Sequence, residues 1–440
     1  MSDSAAHPYI PNTGEDQRLM LDVIGAGSVD DLFEDIPPKF RINGIELPPA
    51  LSEIELSAEL GAQSHRNLVA GNGVASFLGA GAYRHFIPST VAHVISRSEF
   101  YTAYTPYQPE ISQGTLQTMF ELQSMVCELT AMDVANAGMY DGASALAEAC
   151  LMACRVTGRH RIAVHTSVNP SYLSVVRTYA SGPGIPVDVV DGQPLTEEHA
   201  CLAMQQPAFL GTLQDVDALH HQAEAAGALL IAAVNPVSLG LLKPPGEYGA
   251  DIAVGEGQPL GWPLNFGGPY LGLFACRREY VRQMPGRIVG RTTDLDGRTG
   301  YVLTLQTREQ HIRRERATSN ICTSQQLVGL AAAVYLATVG KEGLRRIAEH
   351  CYHKAHYAAE LIGAIPGYSL AAERPFFNEF PVRCPLPPAE INRRVLQAEI
   401  IGGLDVSGHV DNGMLLCVTE MNTREEIERL AAALAEVGKG

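Results

Sequence analysis

Between residues 115 and 276 short apolar runs alternate with stretches of helical periodicity. Thr115–Met132, the segment from Gly142 to about Thr157, Ser171–Ala180 and Asp215–Ala226 place apolar residues at i, i+3 and i+4 and predict helices. Asp133–Ala137, Arg161–Thr166, Val187–Val190, Ala208–Leu213, Leu229–Val234, Asp251–Val254 and Tyr270–Cys276 are short and apolar and predict strands. Strands joined by helical crossovers imply a mostly parallel sheet covered on both faces. A hairpin follows at Asp294–Thr304 around Asp296-Gly297. Long helices then span Leu327–Val339 and Glu342–Ala364. Strands Phe376–Cys384 and Leu415–Val418, with helices Pro388–Glu399 and Thr423–Val437, predict a small α/β domain at the C-terminal end. Thr423 and Glu426 form a capping box for the last helix. Upstream, Asp16–Ile24 and Ser28–Phe33 (Ser28 as N-cap) read as an arm of helices, stopped by Pro37-Pro38, of the kind that wraps a neighbour in an oligomer. The expected organisation is an N-terminal arm over 1–72, a large α/β domain over 73–325, and C-terminal helices with a small α/β domain over 326–440.

Composition narrows the class. The 440 residues are 46% hydrophobic and 18% charged, as in a globular protein of more than one domain. A net charge of −16 argues against nucleic acid as a partner, since duplex binding relies on Lys and Arg. No apolar run approaches the ~20 residues that span a bilayer, and Met1–Pro11 lacks the pattern of a signal peptide. The expectation is a cytoplasmic protein with no membrane contact. The nine cysteines include no Cys-x-x-Cys pair and read as reduced and mostly buried, with Cys150 and Cys154 one helical turn apart. His350, His353 and His356 recur at helical spacing and read as a solvated face rather than a metal site. Gly71-x-Gly73-x-x-Ser76 lacks the third glycine and the preceding strand of a dinucleotide fingerprint.

The candidate chemistry turns on an absence. Ala250–Gly272 reads strand, Gly/Pro-rich loop with the single Trp262, strand; Gly267-Gly268-Pro269 forms its turn. That layout, with an anion loop at a helix start and a small C-terminal domain, fits the aminotransferase-like fold of pyridoxal-phosphate enzymes (fold type I). Gly142-Ala143-Ser144-Ala145 supplies the anion loop, because free N–H groups at a helix N-terminus favour negative charge. The chemistry of the fold needs a Schiff-base lysine and a carboxylate opposite the pyridine nitrogen. The five lysines are Lys39, Lys243, Lys341, Lys354 and Lys439; Gln258 stands where the lysine belongs, and Ala232 lies nearest the place of the acid. Covalent cofactor binding is therefore not expected of this chain.

Two further segments stand out. Tyr101-Thr-Ala-Tyr104-Thr-Pro-Tyr107-Gln-Pro-Glu110-Ile-Ser-Gln-Gly114 is an irregular aromatic stretch, read either as a functional loop or as aromatic filler at a subunit interface. Gln306-Thr-Arg-Glu-Gln-His-Ile-Arg-Arg-Glu315 with Ala317-Thr-Ser-Asn-Ile-Cys322 clusters Arg313, Arg314 and Arg316, which could hold a carboxylate or a partner's backbone, or form a solvated basic turn. These motifs, with Phe77-Leu-Gly-Ala-Gly-Ala-Tyr83 and Asn265-Phe-Gly-Gly-Pro269, resemble the alpha subunit (subunit 1) family of the two-subunit glycine decarboxylase, the P-protein of the glycine cleavage system. The resemblance runs from residue 16 to the C-terminus; Arg316, where the family pattern has lysine, departs from it.

The resemblance implies an oxidoreductase subunit inactive alone, in an assembly of two alpha and two beta chains. Pyridoxal phosphate would sit on the beta subunit, with none bound by this chain and no metal. Glycine would be decarboxylated and its aminomethyl group passed to the lipoyl arm of the H-protein. Tyr104, Tyr107, Gln108 and Glu110 are the candidates for the shared pocket. Gly142, Ala143, Ser144 and Ala145 would form a relic anion loop, and the isolated chain could pair with itself. Two other readings stay open at this level: an independent pyridoxal enzyme using Lys243, and a purely structural scaffold.

Overall fold

The structure, a computed structural model, describes residues 9, 11–42, 44–372 and 374–438. Lys439 and most of the stretch before Pro11 lie outside them. The chain divides into two compact units, residues 1–68 and 69–440.

In the first unit helix Gly14–Ile24 starts at a capping box, Thr13 with Asp16, and stops where Gly25 turns left-handed at φ 82°. Helix Glu53–Ser64 starts the same way, with Ser52 and Glu55. The helix expected at Ser28–Phe33 is a single 3₁₀ turn, Asp30–Phe33; Ser28 and Asp31 still exchange hydrogen bonds, but Pro37 and Pro38 leave no room to propagate. Neither helix of this unit buries a residue.

The second unit is built on a seven-stranded sheet: β1 Val134–Ala135, β2 Arg161–His165, β3 Val187–Val190, β4 His199–Gln206, β5 Leu229–Val234, β6 Ile252–Glu256 and β7 Gly272–Cys276. Its order is β1-β7-β6-β5-β4-β2-β3. Strands β2 to β6 run parallel, and β7 is antiparallel to both neighbours. Alternation along β5 divides the core. Leu229, Ile231 and Ala233 pack with helices Gly142–Thr157 and Pro170–Ser181 on one face. Leu230, Ala232 and Val234 pack on the other with helices Gln113–Thr130 and Val216–Ala225 and the start of Gln326–Gly363.

One expected strand is misplaced. Residues 208–213 form a turn, and the strand is β4, immediately before it. His-Ala-Cys-Leu-Ala-Met-Gln-Gln is poor in β-branched residues, yet central burial makes it a strand, and Pro207, which has no N–H, ends it. The hairpin also exceeds its expected length, pairing Ile288–Thr293 with Thr299–Thr304.

Helix Gln326–Gly363 joins the two layers of this unit. It breaks at Gly340 (φ 62°, ψ −178°), between the two helices expected from the sequence. By length and composition it could cross a bilayer, but Val328–Ala333 and Tyr335 are buried against the large sheet and Ala355–Ile362 face the smaller layer, as in a core helix. That layer is an antiparallel sheet ordered Ser369–Leu370, Glu379–Arg383, Gly413–Cys417, Leu404–Asp405, under helices Pro388–Val395 and Arg424–Val437. The Thr423–Glu426 capping box forms as expected. Strand Ala75–Ser76 pairs with Ile400–Ile401 and carries the chain from this layer into the Gly79–Tyr83 turn.

Candidate functional site

A pocket lies at the ends of β4, β5 and β6, lined among others by Gly81, Tyr83, Asn169, Tyr172, Asn235 and Glu256. This is where an open α/β sheet binds ligands, outside the carboxyl ends of its strands. Its cavity measures about 30 Å³. Small-molecule sites run to ~300 Å³ or more, and this volume is nearer one water. From the end of β5 and the residue after it the pocket receives Ala233, Val234 and Asn235. Ala232, expected nearest the place of the missing acid, faces the opposite core because side chains alternate along the strand.

Polar side chains of the chain itself fill the space. Gln258 is 1% exposed. Its carbonyl accepts from the Tyr83 N–H at 2.8 Å, and its amide donates to the carbonyls of Tyr83 at 2.9 Å and Trp262 at 2.7 Å. The Tyr83 hydroxyl donates to Glu379 at 2.7 Å, and the Ala80 N–H donates to the same carboxyl at 2.6 Å. Burial pushes Glu379 up to about 7 despite these two bonds, and pushes the Tyr83 and Tyr172 phenols well above their ordinary value.

At the start of helix Gly142–Thr157 the Gly142 N–H donates to Glu256 at 2.9 Å, and the Ser144 N–H donates to its own cap, Asp141, at 2.8 Å. Ala143 and Ala145 follow in the same first turn. A covalently held pyridoxal phosphate does not fit these residues: no lysine stands at the strand end, the amide in its place is committed, and the cavity is too small. Glu256, Glu379, Tyr83 and Tyr172 escaped the sequence reading. A carboxylate closing the wholly buried strand Ile-Ala-Val-Gly-Glu was the available signal for the first.

The aromatic loop is elsewhere and open. Tyr104 is 85% and Tyr107 50% exposed, and Gln108 and Glu110 are exposed too. Tyr107 is brought to the Arg-rich segment. Its ring meets His311 edge-on at 6.1 Å, and the Arg287 guanidinium lies 5.6 Å above it. Arg287 is itself buried, donating to the Cys322 carbonyl at 2.6 Å and Thr323 at 3.3 Å. In that segment Arg308 is buried and bonds the carbonyls of Met284, Leu305 and Gly286. Arg313, Arg314 and Arg316 are exposed. Arg308 therefore ties the segment to the backbone of Met284 and Gly286, and Arg313, though exposed, donates to the Thr307 carbonyl at 3.0 Å within the segment.

The remaining candidates have structural partners. Glu420 accepts from Phe86 N–H and the Cys351 thiol and pairs with His85 Nδ1 at 2.7 Å, which accounts for a His-Cys-Glu trio. His356 stacks on Phe376 at 4.0 Å, whereas His350 and His353 are exposed. Of the nine free cysteines Cys322 alone is exposed.

The family model of the glycine cleavage system P-protein matches residues 7–434. The chain belongs to that family. It is 52% identical, over 98% of its length and 99% of the relative's, to a probable glycine dehydrogenase (decarboxylating) subunit 1 of Desulforamulus reducens. It is 53% identical to the chain of that name in Chlorobium limicola, over 97% of its own length and 99% of that relative's. A crystal structure of a glycine decarboxylase (P-protein) in inhibitor-bound form superposes with a TM-score of 0.92 at 43% identity, covering 98% of this chain and all of that one. A cysteine desulfurase of Thermococcus onnurineus, 17% identical over 90% of this chain and 100% of its own, shares the fold with a TM-score of 0.61. The fold is that of type I pyridoxal enzymes, as expected, and this P-protein family member serves glycine cleavage.

Proposed function

We propose that this chain is the subunit of glycine dehydrogenase (decarboxylating) that carries no cofactor, completing an active site whose pyridoxal phosphate is held by a second subunit. Two copies of each form the assembly, in the cytoplasm, where the free thiols of this chain suit a reducing compartment. The pair decarboxylates glycine and hands the aminomethyl group to the lipoyl arm of the H-protein. One observation carries the reading: full-length identity of about one half to chains named subunit 1, in a sequence whose lysine position holds a committed, buried glutamine.

What this chain contributes is positioning. Tyr104, Tyr107, Gln108 and Glu110 offer hydroxyl, amide and carboxyl groups to the shared pocket, and the buried Arg287 lies over the face of the Tyr107 ring and steadies it. Cofactor on another lysine gains no support from the structure. Lys243 is half exposed and lies 3.8 Å from Asp217, and Lys354 donates to the carbonyls of Glu420 and Asn422.

The test is a visible absorbance spectrum with added pyridoxal phosphate, followed by borohydride trapping. It is run on the chain alone and then with its candidate second subunit. We expect no trapped aldimine on this chain and glycine decarboxylation only in the mixture. A trapped aldimine on the chain alone overturns the reading in favour of an independent pyridoxal enzyme.

A further inference from the structure

Glu256, a residue only 8% exposed, closes β6 with its carboxylate. Among the described residues it forms no ion pair. Its two oxygens instead accept three backbone N–H groups: Gly142 at 2.9 Å on one, Gln258 at 2.9 Å and Leu271 at 3.0 Å on the other. These donors come from three elements, namely a helix N-terminus, the loop after β6 and the residue before β7. Convergent N–H groups of this kind, one of them at the positive end of a helix dipole, form an anion seat.

The seat is filled tightly. A Cβ on Gly142 would lie 2.4 Å from the Tyr172 hydroxyl, 3.0 Å from the Glu256 nitrogen and 3.1 Å from the Glu256 Cβ. A side chain at position 142 would press on the Tyr172 hydroxyl and on the Glu256 backbone. Burial pushes Glu256 up to about 7, with the three N–H bonds opposing that shift.

We infer that the Glu256 carboxylate is the resident anion of the cradle at the start of helix Gly142–Thr157, standing where a phosphorylated cofactor would place its phosphate and closing the pocket to it. The ancestral layout explains why the donors converge. A side chain carrying its own negative charge explains why they are satisfied with no ligand present. Gln258, Tyr83 and Glu379 then fill the remainder of the pocket with internal hydrogen bonds, so closure is distributed over the site. This inference concerns a phosphate seat within one chain and stands apart from the identity of the second subunit.

The probe is inorganic phosphate, applied to the full chain and to Glu256→Ala, with thermal melting and calorimetric titration as readouts. Wild type should show no phosphate-dependent shift relative to chloride at equal ionic strength. The variant, with three N–H groups freed, should bind phosphate saturably, and acetate should rescue it as a replacement carboxylate. At ten times the dissociation constant, phosphate should favour its folded state by a factor of about ten. A folded Glu256→Ala that gains nothing from either anion overturns the inference, as does a phosphate-soaked wild-type crystal with the anion on the Gly142 N–H. If Glu256→Ala does not fold, Glu256→Gln decides by amide exchange. Its amide offers one accepting oxygen in place of two, so either the Gly142 N–H or the Gln258 and Leu271 N–H groups should lose protection, and unchanged protection at all three overturns the inference.

Discussion

The sealed pocket and the aromatic loop each gather polar side chains in the second unit, and they are treated in opposite ways. In the pocket, Gln258, Glu256, Glu379 and Tyr83 spend their hydrogen bonds on one another and on nearby backbone. On the loop, Tyr104, Gln108 and Glu110 stand exposed. That contrast, polar groups committed inside and polar groups free outside, supports the proposal that this chain's contribution to a shared pocket comes from the loop.

The sharpest way to break that comparison is to open the pocket. Glu379→Ala strands the Ala80 N–H and the Tyr83 hydroxyl in a buried site, at ~1–3 kcal/mol for each orphaned group. We expect a loss of about 4 kcal/mol in denaturant unfolding at pH 6. A loss below about 1 kcal/mol would mean that water replaces the carboxyl and that the pocket is open after all.

A gentler probe is pH. Glu256 and Glu379 both titrate at about 7 in the fold, against 4.5 when unperturbed. The folded state therefore binds more protons than the unfolded one between these values, so their contribution is present at low pH and lost as pH rises through about 7. Each accounts for at most ~3 kcal/mol, and melting temperature should fall from pH 5 to pH 8 on their account. Glu379→Gln should flatten part of that slope; an unchanged slope would show that its carboxyl is not dry.

The loop calls for the smallest change. Tyr107→Phe removes one hydroxyl while keeping the ring under Arg287. In the reconstituted pair, turnover should fall about tenfold, the worth of one hydrogen bond made in the transition state, with assembly unchanged. Turnover at the wild-type level would remove Tyr107 from the shared pocket and leave the loop a packing surface.

Much of the scaffold was legible in the sequence because local chemistry dictated it. The Thr423 capping box, the helix from Gly142 and the break at Gly340 are written in residues adjacent along the chain. β4 was not, since His199–Gln206 becomes a strand only through burial between β2 and β5. That no lysine lies between Lys243 and Lys341 could be read directly, because an absence along the chain needs no neighbours. What fills the pocket could not. Glu256 and Glu379 are 123 positions apart, and Tyr83 reaches the Glu379 carboxyl from 296 positions away.

The break at Gly340 has a mechanical consequence. A helix shared by two packed layers works as a beam, and its single interruption is the natural pivot for one layer to swing on the other. That pivot is latched. Strand Ala75–Ser76 is clamped to Ile400–Ile401, and the Tyr83–Glu379 bond ties the turn after it to the smaller sheet. With these contacts in place, the helix joins the two layers as a brace as well as a beam.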